Sequence, residues 1–248
     1  KTDVWDQTSV YRSSGAVAEF LRNTEFMEVE QPEDTAPETV SAIVSGAKAD
    51  PLPAVSAQHP NILAIMNESW ADFEDFGNIT LSESTMDYIK SLDNAVVGHA
   101  YTSVFGAGTS TSEFEFLTGD SMAFLPSGSI PYQQYINGDL KALPDYLKTL
   151  GYQTIATHPY NAGGWERDTV YPMLGFNESV FKDDYVNPQY VRQYISDESC
   201  VDKIIEFYEN KEKDAPLFVF NVTMQNHGGY QDQYGNFTPD ISVKDSTN

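Results

Sequence analysis

The sequence predicts an α/β protein with a mostly parallel central sheet and helices on both faces of that sheet. The continuous apolar run at residues 62–66 is typical of a strand buried on both faces, and two further apolar strands are predicted over residues 152–157 and 216–224. Each of the three is followed by polar residues. Segments with helical periodicity lie between these runs, and such an alternation favours a parallel sheet. Two of the predicted helices are followed directly by glycine, a residue that commonly ends helices.

The N-terminal region is predicted to stand apart from the main domain. An amphipathic helix is predicted over residues 13–26 because apolar residues recur there at helical spacing. Residues 28–60 are rich in Pro, Ala, Glu and Ser and include one predicted helix over residues 37–47, which is typical of a linker or a wrapping arm. We therefore expect an arm over residues 1–56 and the main domain over residues 57–248.

The main domain is predicted to alternate strands and helices along its whole length. The predicted strands cover residues 62–66, 95–97, 152–157 and 216–224. The predicted helices cover residues 82–92, 143–150, 167–174 and 200–210.

Composition excludes several classes of partner. The 248 residues include 14 basic and 37 acidic side chains, and this net charge of -23 leaves no basic face for nucleic acid or for anionic lipid heads. The single cysteine, Cys200, excludes an internal disulfide and a cysteine-based metal cluster. The chain has no apolar run long enough to span a membrane and no signal-peptide pattern.

A glycine turn followed by four hydroxyl residues is the predicted centre of the site. Gly106 and Gly108 allow a close approach of the backbone to a ligand. Ser110 and Glu113 have the spacing of a capping box, which predicts that a helix begins at Ser110. Thr109 would then precede the helix, beside N–H groups and a helix dipole that favour a phosphate. The alternative is a capped surface helix after a flexible loop.

Three predicted strands are followed by Glu68, His158 and His227. Because ligands bind beyond the carboxyl ends of parallel strands, we expect these residues and Thr109 to converge on one rim of the sheet. A glutamate and a threonine hydroxyl are hard oxygen ligands that suit Mg²⁺ or Mn²⁺, and such an ion would make Thr109 a nucleophile. The alternative for each residue is structural: a capped turn at Glu68, and histidines that bind loop backbone.

Several motifs, taken in order, carry a specific resemblance. They cover residues 61–70, residues 106–119 with a Gly-Thr-x-x-x-Glu-Phe core, residues 143–159, residues 165–168 and the pair Asn226-His227. On these motifs the chain resembles, from about residue 60 to residue 230, the lipoteichoic acid synthase and phosphoglycerol transferase family. That family belongs to the sulfatase/alkaline-phosphatase-like superfamily.

The resemblance implies a site and a reaction. It implies that Thr109 is the nucleophile and that Glu68 and Thr109 bind Mn²⁺ or Mg²⁺. The residues that it implies for substrate binding are Trp165, Arg167, His227 and His158. In such a reaction Thr109 displaces diacylglycerol from phosphatidylglycerol, and the resulting phosphothreonine-type intermediate passes glycerol phosphate to a glycerolphosphate polymer or a glycolipid acceptor. The implied location is the extracellular face of a bacterial cell membrane, with an anchor in an upstream segment that this chain does not include.

The sequence departs from the family in one respect. The family carries an Asp-His pair after the Asn-His motif, which supplies further metal ligands, and no Asp-His dipeptide occurs here. We therefore expect the fold to be incomplete at the C-terminus and the chain alone to be inactive. A sulfatase motif, C/S-x-P-x-R, does not occur either. A phosphoethanolamine transferase, another phosphodiesterase or hydrolase of the superfamily, and a non-catalytic module that binds anionic cell-wall polymer stay open as alternatives.

Overall fold

The structure is a computed structural model that describes residues 12–24, 29, 33–46, 59–104, 106–126 and 128–246. The helices in these ranges are α1 (Ala16–Asn23), α2 (Pro37–Gly46), α3 (Asp87–Lys90), α4 (Thr109–Thr118), α5 (Pro131–Gln134), α6 (Leu143–Thr149), α7 (Arg167–Met173) and α8 (Asp197–Asn210). The strands are β1 (Ile62–Met66), β2 (Ile79–Leu81), β3 (Gln153–His158), β4 (Glu178–Phe181), β5 (Tyr190–Val191), β6 (Tyr194–Ile195), β7 (Leu217–Val222) and β8 (Val243–Ser246). Short 3₁₀ helices cover Phe73–Phe76, Met122–Phe124, Gly164–Glu166 and Lys182–Asp184.

The main sheet has the order β1-β7-β3-β4, and all of its pairings are parallel. This arrangement confirms the predicted parallel sheet. The registers of the central pairings meet at Asn221, which lies opposite Ile65 on one side and Thr157 on the other. The carboxyl ends of β1, β7 and β3 therefore lie side by side at one rim.

Helices cover both faces of this sheet, as predicted. Side chains alternate along β7, so Phe218 and Phe220 join one buried cluster while Leu217 and Val219 join another. The first cluster packs against residues of α4, α6 and α7, and the second packs against α8 through Ile204. The helix that carries Thr109 is thus fixed to the sheet through Phe114 and Leu117, which are buried in the first cluster.

Two strand predictions need correction. β1 is not buried on both faces, because it borders the described sheet and exposes Leu63 and Ile65 to 51% and 48%. Residues 95–97 do not form a strand, and Val96 is fully exposed with no neighbouring strand to pair with in the described chain. The predicted helix over residues 82–92 is reduced to α3.

The other elements largely follow the sequence pattern. Gly151 and Gly175 have positive φ angles of 87° and 94° just after α6 and α7, as expected of glycines that end helices. The predicted N-terminal helices correspond to α1 and α2, but much of residues 1–56 lies outside the described residues, so the arm stays a prediction. Within the described chain, no helix combines the length and the apolar character that a membrane span requires.

Candidate active site

The carboxyl-end rim brings Thr109 into contact with Glu68. The Thr109 hydroxyl donates a 2.7 Å hydrogen bond from Oγ1 to Glu68 Oε2. Glu68 is fixed in turn by Thr223, which follows β7 and whose Oγ1 accepts a 3.0 Å hydrogen bond from the Glu68 backbone N–H. Thr223 itself donates its backbone N–H to the carbonyl of Met66 at 3.0 Å. The site carboxylate is therefore set by the last residues of two neighbouring strands.

The backbone before Thr109 is unusual and corrects the predicted helix start. Gly106, Ala107 and Gly108 all have positive φ angles, of 72°, 51° and 64°. Gly108 is the N-cap, so α4 begins at Thr109 and not at Ser110. A side chain at Gly108 would meet Val104, because an added Cβ would lie 2.9 Å from Val104 Cγ1. Glycine at this position thus allows the backbone to pass close to Val104 and to place Thr109 at the start of α4.

Glu113 does not close a capping box; it lies at the centre of a buried polar cluster. Its carboxylate accepts hydrogen bonds from Arg167, with Nη2 at 2.5 Å and Nε at 3.2 Å from Oε1. The hydroxyls of Tyr171 and Tyr132 donate to Oε2 at 2.8 Å and 3.4 Å. Glu113 is fully buried and Arg167 is only 2% exposed. The predicted phosphate ligand Arg167 therefore has an internal anionic partner on the helix that begins at Thr109.

Electrostatics keep the arginine and the two tyrosines of this cluster protonated. Burial alone would lower the pKa of Arg167, but the charge of Glu113 and its hydrogen bonds outweigh burial and raise it. Burial, followed by the Glu113 charge, raises the pKa of Tyr132 and of Tyr171 well above the usual value. Both phenols consequently remain protonated donors to Glu113 at any physiological pH.

His158 is the last residue of β3 and is held neutral. Its Nδ1 lies 2.9 Å from the carbonyl oxygen of Val222, and because a carbonyl only accepts, Nδ1 carries the proton and Nε2 is left as an acceptor. Burial, and then the nearby charge of Arg167, lower the pKa of His158 to about 4. The imidazole therefore faces the rim as a hydrogen-bond acceptor without charge.

A chain of aromatic contacts connects His158 to His227. The His158 ring meets Tyr160 at 6.2 Å, Tyr160 meets Tyr194 at 6.0 Å, and Tyr194 meets His227 at 5.7 Å between ring centroids. The Tyr194 hydroxyl also lies 3.3 Å from His227 Nδ1 and donates to the carbonyl of Gly228 at 3.0 Å. The two predicted histidines thus belong to one packed assembly.

Arg192 supports the loop that carries His227. It lies in the two-residue turn between β5 and β6, and its Nη2 donates to the carbonyls of Gln225 and His227 at 2.5 Å and 2.9 Å. Its guanidinium carbon stacks 3.9 Å from the centroid of the Tyr230 ring. Arg192 is 5% exposed, so the contact is an internal one that sets the path of the loop.

Trp165 lies on a strained turn that leads into α7. Trp165 and Glu166 have φ angles of 59° and 58°, a conformation that costs residues with a Cβ roughly 1–3 kcal/mol each. The turn is held by Arg167, whose Nη1 donates to the Gly164 carbonyl at 3.2 Å. Ser69, directly after Glu68, also has a positive φ of 53°. Strain of this kind clusters at functional sites.

The described residues fit part of a metal site. Thr109 and Glu68 place two hard oxygen donors within 2.7 Å of each other, close enough to bind one divalent cation together. No group of three or more His, Cys, Asp or Glu side chains is arranged for a metal in the part of the chain that the structure describes. The donor set suits a cation such as Mn²⁺ or Mg²⁺ and needs additional ligands to complete it.

Sequence reasoning missed three residues that organise this rim. Glu113 was assigned to a cap because of its spacing from Ser110, although its partner is Arg167 in another helix. Thr223 had a usable signal, since it is a hydroxyl residue directly after a strand that ends at the rim. Arg192 was also detectable, as an arginine close to two tyrosines in a chain that is poor in basic residues.

The fold and the rim together define an α/β protein of the sulfatase and alkaline-phosphatase type. Two solved structures share this fold. The Streptococcus pyogenes phosphoglycerol transferase GacH, in complex with sn-glycerol-1-phosphate, matches with a TM-score of 0.68 and 23% identity, over 88% of this chain and 59% of the GacH chain. The Listeria monocytogenes lipoteichoic acid synthase LtaP matches with a TM-score of 0.58 and 17% identity, over 76% of this chain and 47% of the LtaP chain.

The chain belongs to the sulfatase family, whose model matches residues 60–246. A curated relative is a Rhizobium meliloti (strain 1021) protein provisionally named a cyclic beta-1,2-glucan modification protein. It is 34% identical over 232 residues, which cover 92% of this chain and 35% of the relative. The chain thus spans about a third of the length of that relative. The family and the fold confirm the resemblance that the motifs predicted.

Proposed function

We propose that this chain carries the nucleophile and the phosphate-binding residues of a metal-dependent phosphoglycerol transferase. Its donor would be phosphatidylglycerol, and Thr109 would carry the glycerol phosphate group between donor and acceptor. The observation that carries the proposal is the 2.7 Å hydrogen bond between Thr109 Oγ1 and Glu68 Oε2. An alcohol becomes a useful nucleophile only when a base or a cation is next to it, and this contact supplies the place for either.

The charge of the rim supports dependence on a metal. Glu68 and Glu113 provide two carboxylates, whereas Arg167 provides one guanidinium and His158 is neutral. Anionic phosphate would therefore meet an excess of negative charge among these four groups. A divalent cation bound by Glu68 and Thr109 would supply the missing positive charge, and it would stabilise charge on the phosphoryl oxygens when bound.

The chain's own residues divide the remaining tasks. Thr109 presents its oxygen at the start of α4, where the helix dipole favours an anion. Arg167 would hold phosphoryl oxygens in the bidentate geometry that guanidinium groups favour. Trp165 would cover the phosphoglycerol group. His158, through its free Nε2, would accept a hydrogen bond from a glycerol hydroxyl, and His227 would contact the same group from the neighbouring loop.

The proposed reaction proceeds by two in-line displacements. In the first, a bond forms between Thr109 Oγ1 and phosphorus while the bond from phosphorus to the diacylglycerol oxygen breaks. The proton that Thr109 loses balances the one that the departing diacylglycerol oxygen takes up. In the second, an acceptor hydroxyl loses its proton as it attacks the same phosphorus, and Thr109 Oγ1 takes up a proton as it is freed. The positions of Thr109 and Arg167, each fixed through α4, suit a transfer that depends mainly on positioning and charge.

The acceptor is proposed to be a cell-envelope polymer. The similarity to a Rhizobium meliloti protein named for glucan modification favours a glycan acceptor over water, because glycan hydroxyls would take the glycerol phosphate in the second displacement. A lipoteichoic acid type of polymer is the other candidate, by similarity to LtaP. With either acceptor, the proposed location of the reaction is the outer face of a cell membrane, where the lipid donor would be within reach.

Intact mass measurement of the full-length protein tests this proposal directly. The protein would be incubated with Mn²⁺ and phosphatidylglycerol, and we expect one glycerol phosphate adduct together with free diacylglycerol. The adduct should be lost in Thr109→Ala and kept in Glu206→Gln, whose side chain is exposed on α8. An adduct formed only from phosphatidylethanolamine would reassign the donor. Neither adduct nor diacylglycerol, with retained polymer binding, would favour a non-catalytic binding module.

A further inference from the structure

We propose that Glu113 is a positioning residue that orients Arg167 toward the phosphoryl group, an inference that rests on the function proposed above. Glu113 lies one turn after Thr109 on α4, so a single helix carries both the candidate nucleophile and the partner of the arginine. Arg167 comes from α7 and meets Glu113 across the interior. The contact between Glu113 and Arg167 therefore fixes the distance between Thr109 and the Arg167 guanidinium.

The contacts of Arg167 hold one edge of the guanidinium against Glu113. The side chain has five N–H groups, of which Nε supplies one and Nη1 and Nη2 supply two each. Glu113 accepts from Nε and Nη2, the Gly164 carbonyl accepts from Nη1, and the Tyr171 hydroxyl is a further partner of the guanidinium. The other edge, formed by Nη1 and Nη2, is free of the Glu113 carboxylate. In a planar guanidinium one N–H of each of these two atoms points in the same direction, so this edge would form the fork for phosphoryl oxygens.

Only a carboxylate at position 113 produces this orientation. A carboxylate can accept two parallel N–H bonds from one edge of the guanidinium while it also accepts from the Tyr171 hydroxyl. A glutamine at this position would present one acceptor and one donor, and its NH₂ group would face an N–H of Arg167. The guanidinium would then rotate or shift, and its free edge would no longer be fixed relative to Thr109.

The test compares binding and turnover in the full-length protein with Mn²⁺ present, using sn-glycerol-1-phosphate as the binding probe. For Glu113→Gln we expect an affinity for the probe, and a kcat/KM for phosphatidylglycerol, that fall about 10- to 100-fold, as for a lost charged hydrogen bond. Tyr132→Phe removes a neighbouring hydrogen bond to the same carboxylate and leaves the contacts of Arg167 in place. It should lower the melting temperature but keep the affinity within about 3-fold.

A double-mutant comparison distinguishes positioning from simple structural damage. In an Arg167→Lys background the planar fork is gone, so adding Glu113→Gln should change probe affinity by less than about 2-fold. If Glu113→Gln does not fold, Glu113→Asp replaces it in the test. Aspartate keeps the charge, but its side chain is one methylene shorter, so the carboxylate would lie farther from the Arg167 guanidinium. We expect Glu113→Asp to lose about 10-fold in affinity with little change in melting temperature.

The outcomes of these tests distinguish a failure of the positioning role from a failure of the proposed function. Wild-type affinity in Glu113→Gln, an equal loss in both backgrounds, or an equal loss in Tyr132→Phe at matched melting temperature would each overturn the positioning role. If the wild-type protein forms no adduct, the proposed function fails first and this inference falls with it. Glu206→Gln is the matched control, since it makes the same chemical change in an exposed ion pair with Lys203.

Discussion

Thr109 and Glu68 are joined by a 2.7 Å hydrogen bond although they lie 41 positions apart in the sequence. Glu68 follows the border strand β1, whereas Thr109 begins a helix that packs on the face of the sheet. The contact therefore depends on two separate supports: the Thr223 hydroxyl, which fixes Glu68, and the glycine turn, which presents Thr109.

Removing the charge of Glu68 is expected to abolish metal-dependent activity. Glu68→Gln replaces a carboxylate oxygen with a weaker ligand and should lower turnover by more than about 100-fold, with a matching loss of Mn²⁺ affinity. Calorimetric titration with Mn²⁺ and measurement of diacylglycerol release check the two effects separately. Glu206→Gln is the control. Full turnover of wild-type protein in the presence of a strong chelator would contradict the prediction.

The glycine turn predicts that Gly108→Ala displaces the nucleophile. Alanine would hold a φ of 64° and crowd Val104, and we expect a loss of about 1–3 kcal/mol in the free energy of unfolding. Gly119→Ala at the other end of α4 is the matched control, since Gly119 has a φ of 76° but open space around its Cβ position.

Both glycine variants should lose stability in urea denaturation, but only Gly108→Ala should slow adduct formation on Thr109. The reason is that Gly108 directly precedes Thr109, whereas Gly119 lies at the C-terminal end of the helix. Equal rates of adduct formation in the two variants would show that the turn does not position Thr109.

Local sequence patterns were sufficient for most of the sheet. β3 and β7 are buried on both faces, and they correspond to the strands predicted over residues 152–157 and 216–224. Residues 95–97 also contain β-branched residues but have no partner strand in the described chain. The strand predicted there from propensity alone was therefore wrong. The pairing of β2 with β8 was missed because it depends on contacts 160 or more positions apart, such as that of Ser82 with Ser242.

The positions of candidate site residues could be predicted only where nearby residues in the sequence determine them. The positions of Glu68 and His158 at the rim were predicted correctly because a parallel sheet aligns strand ends, a rule that needs no knowledge of the partners. Glu113 was misassigned because its spacing from Ser110 satisfies a capping rule equally well. What decides its role is the Arg167 guanidinium, 54 positions away, and the burial of both groups, which no local pattern contains.

The neutral state of buried His158 predicts that the free energy of unfolding decreases as the pH falls. Its folded pKa of about 4 lies below the ordinary value of 6.5, so the unfolded state binds more protons between these values. The stabilising contribution is complete above pH 6.5 and is lost as the pH falls toward 4. The shift corresponds to about 3 kcal/mol in the free energy of unfolding.

His158→Asn is the reference for this measurement, because its amide can donate to the Val222 carbonyl but does not titrate. Urea denaturation at several pH values between 7 and 4 should give a steeper loss for wild-type protein than for His158→Asn. Parallel curves would show that folding does not shift the pKa of His158, which would overturn the lowered pKa on which its neutral state in mild acid depends.

Arg192 predicts a change in substrate binding without a change in the chemical step. Arg192→Lys keeps the charge but loses the planar stack on Tyr230 and one of two carbonyl bonds, so the loop that carries His227 should loosen. Because His227 is proposed to contact the glycerol group and not the nucleophile, KM for phosphatidylglycerol should rise about 10-fold while kcat stays within about 3-fold. Arg12→Lys, at an exposed position, is the control. Faster hydrogen exchange over residues 225–230 should accompany the rise in KM, and a fall in kcat at constant KM would mean that the loop acts on the transition state instead.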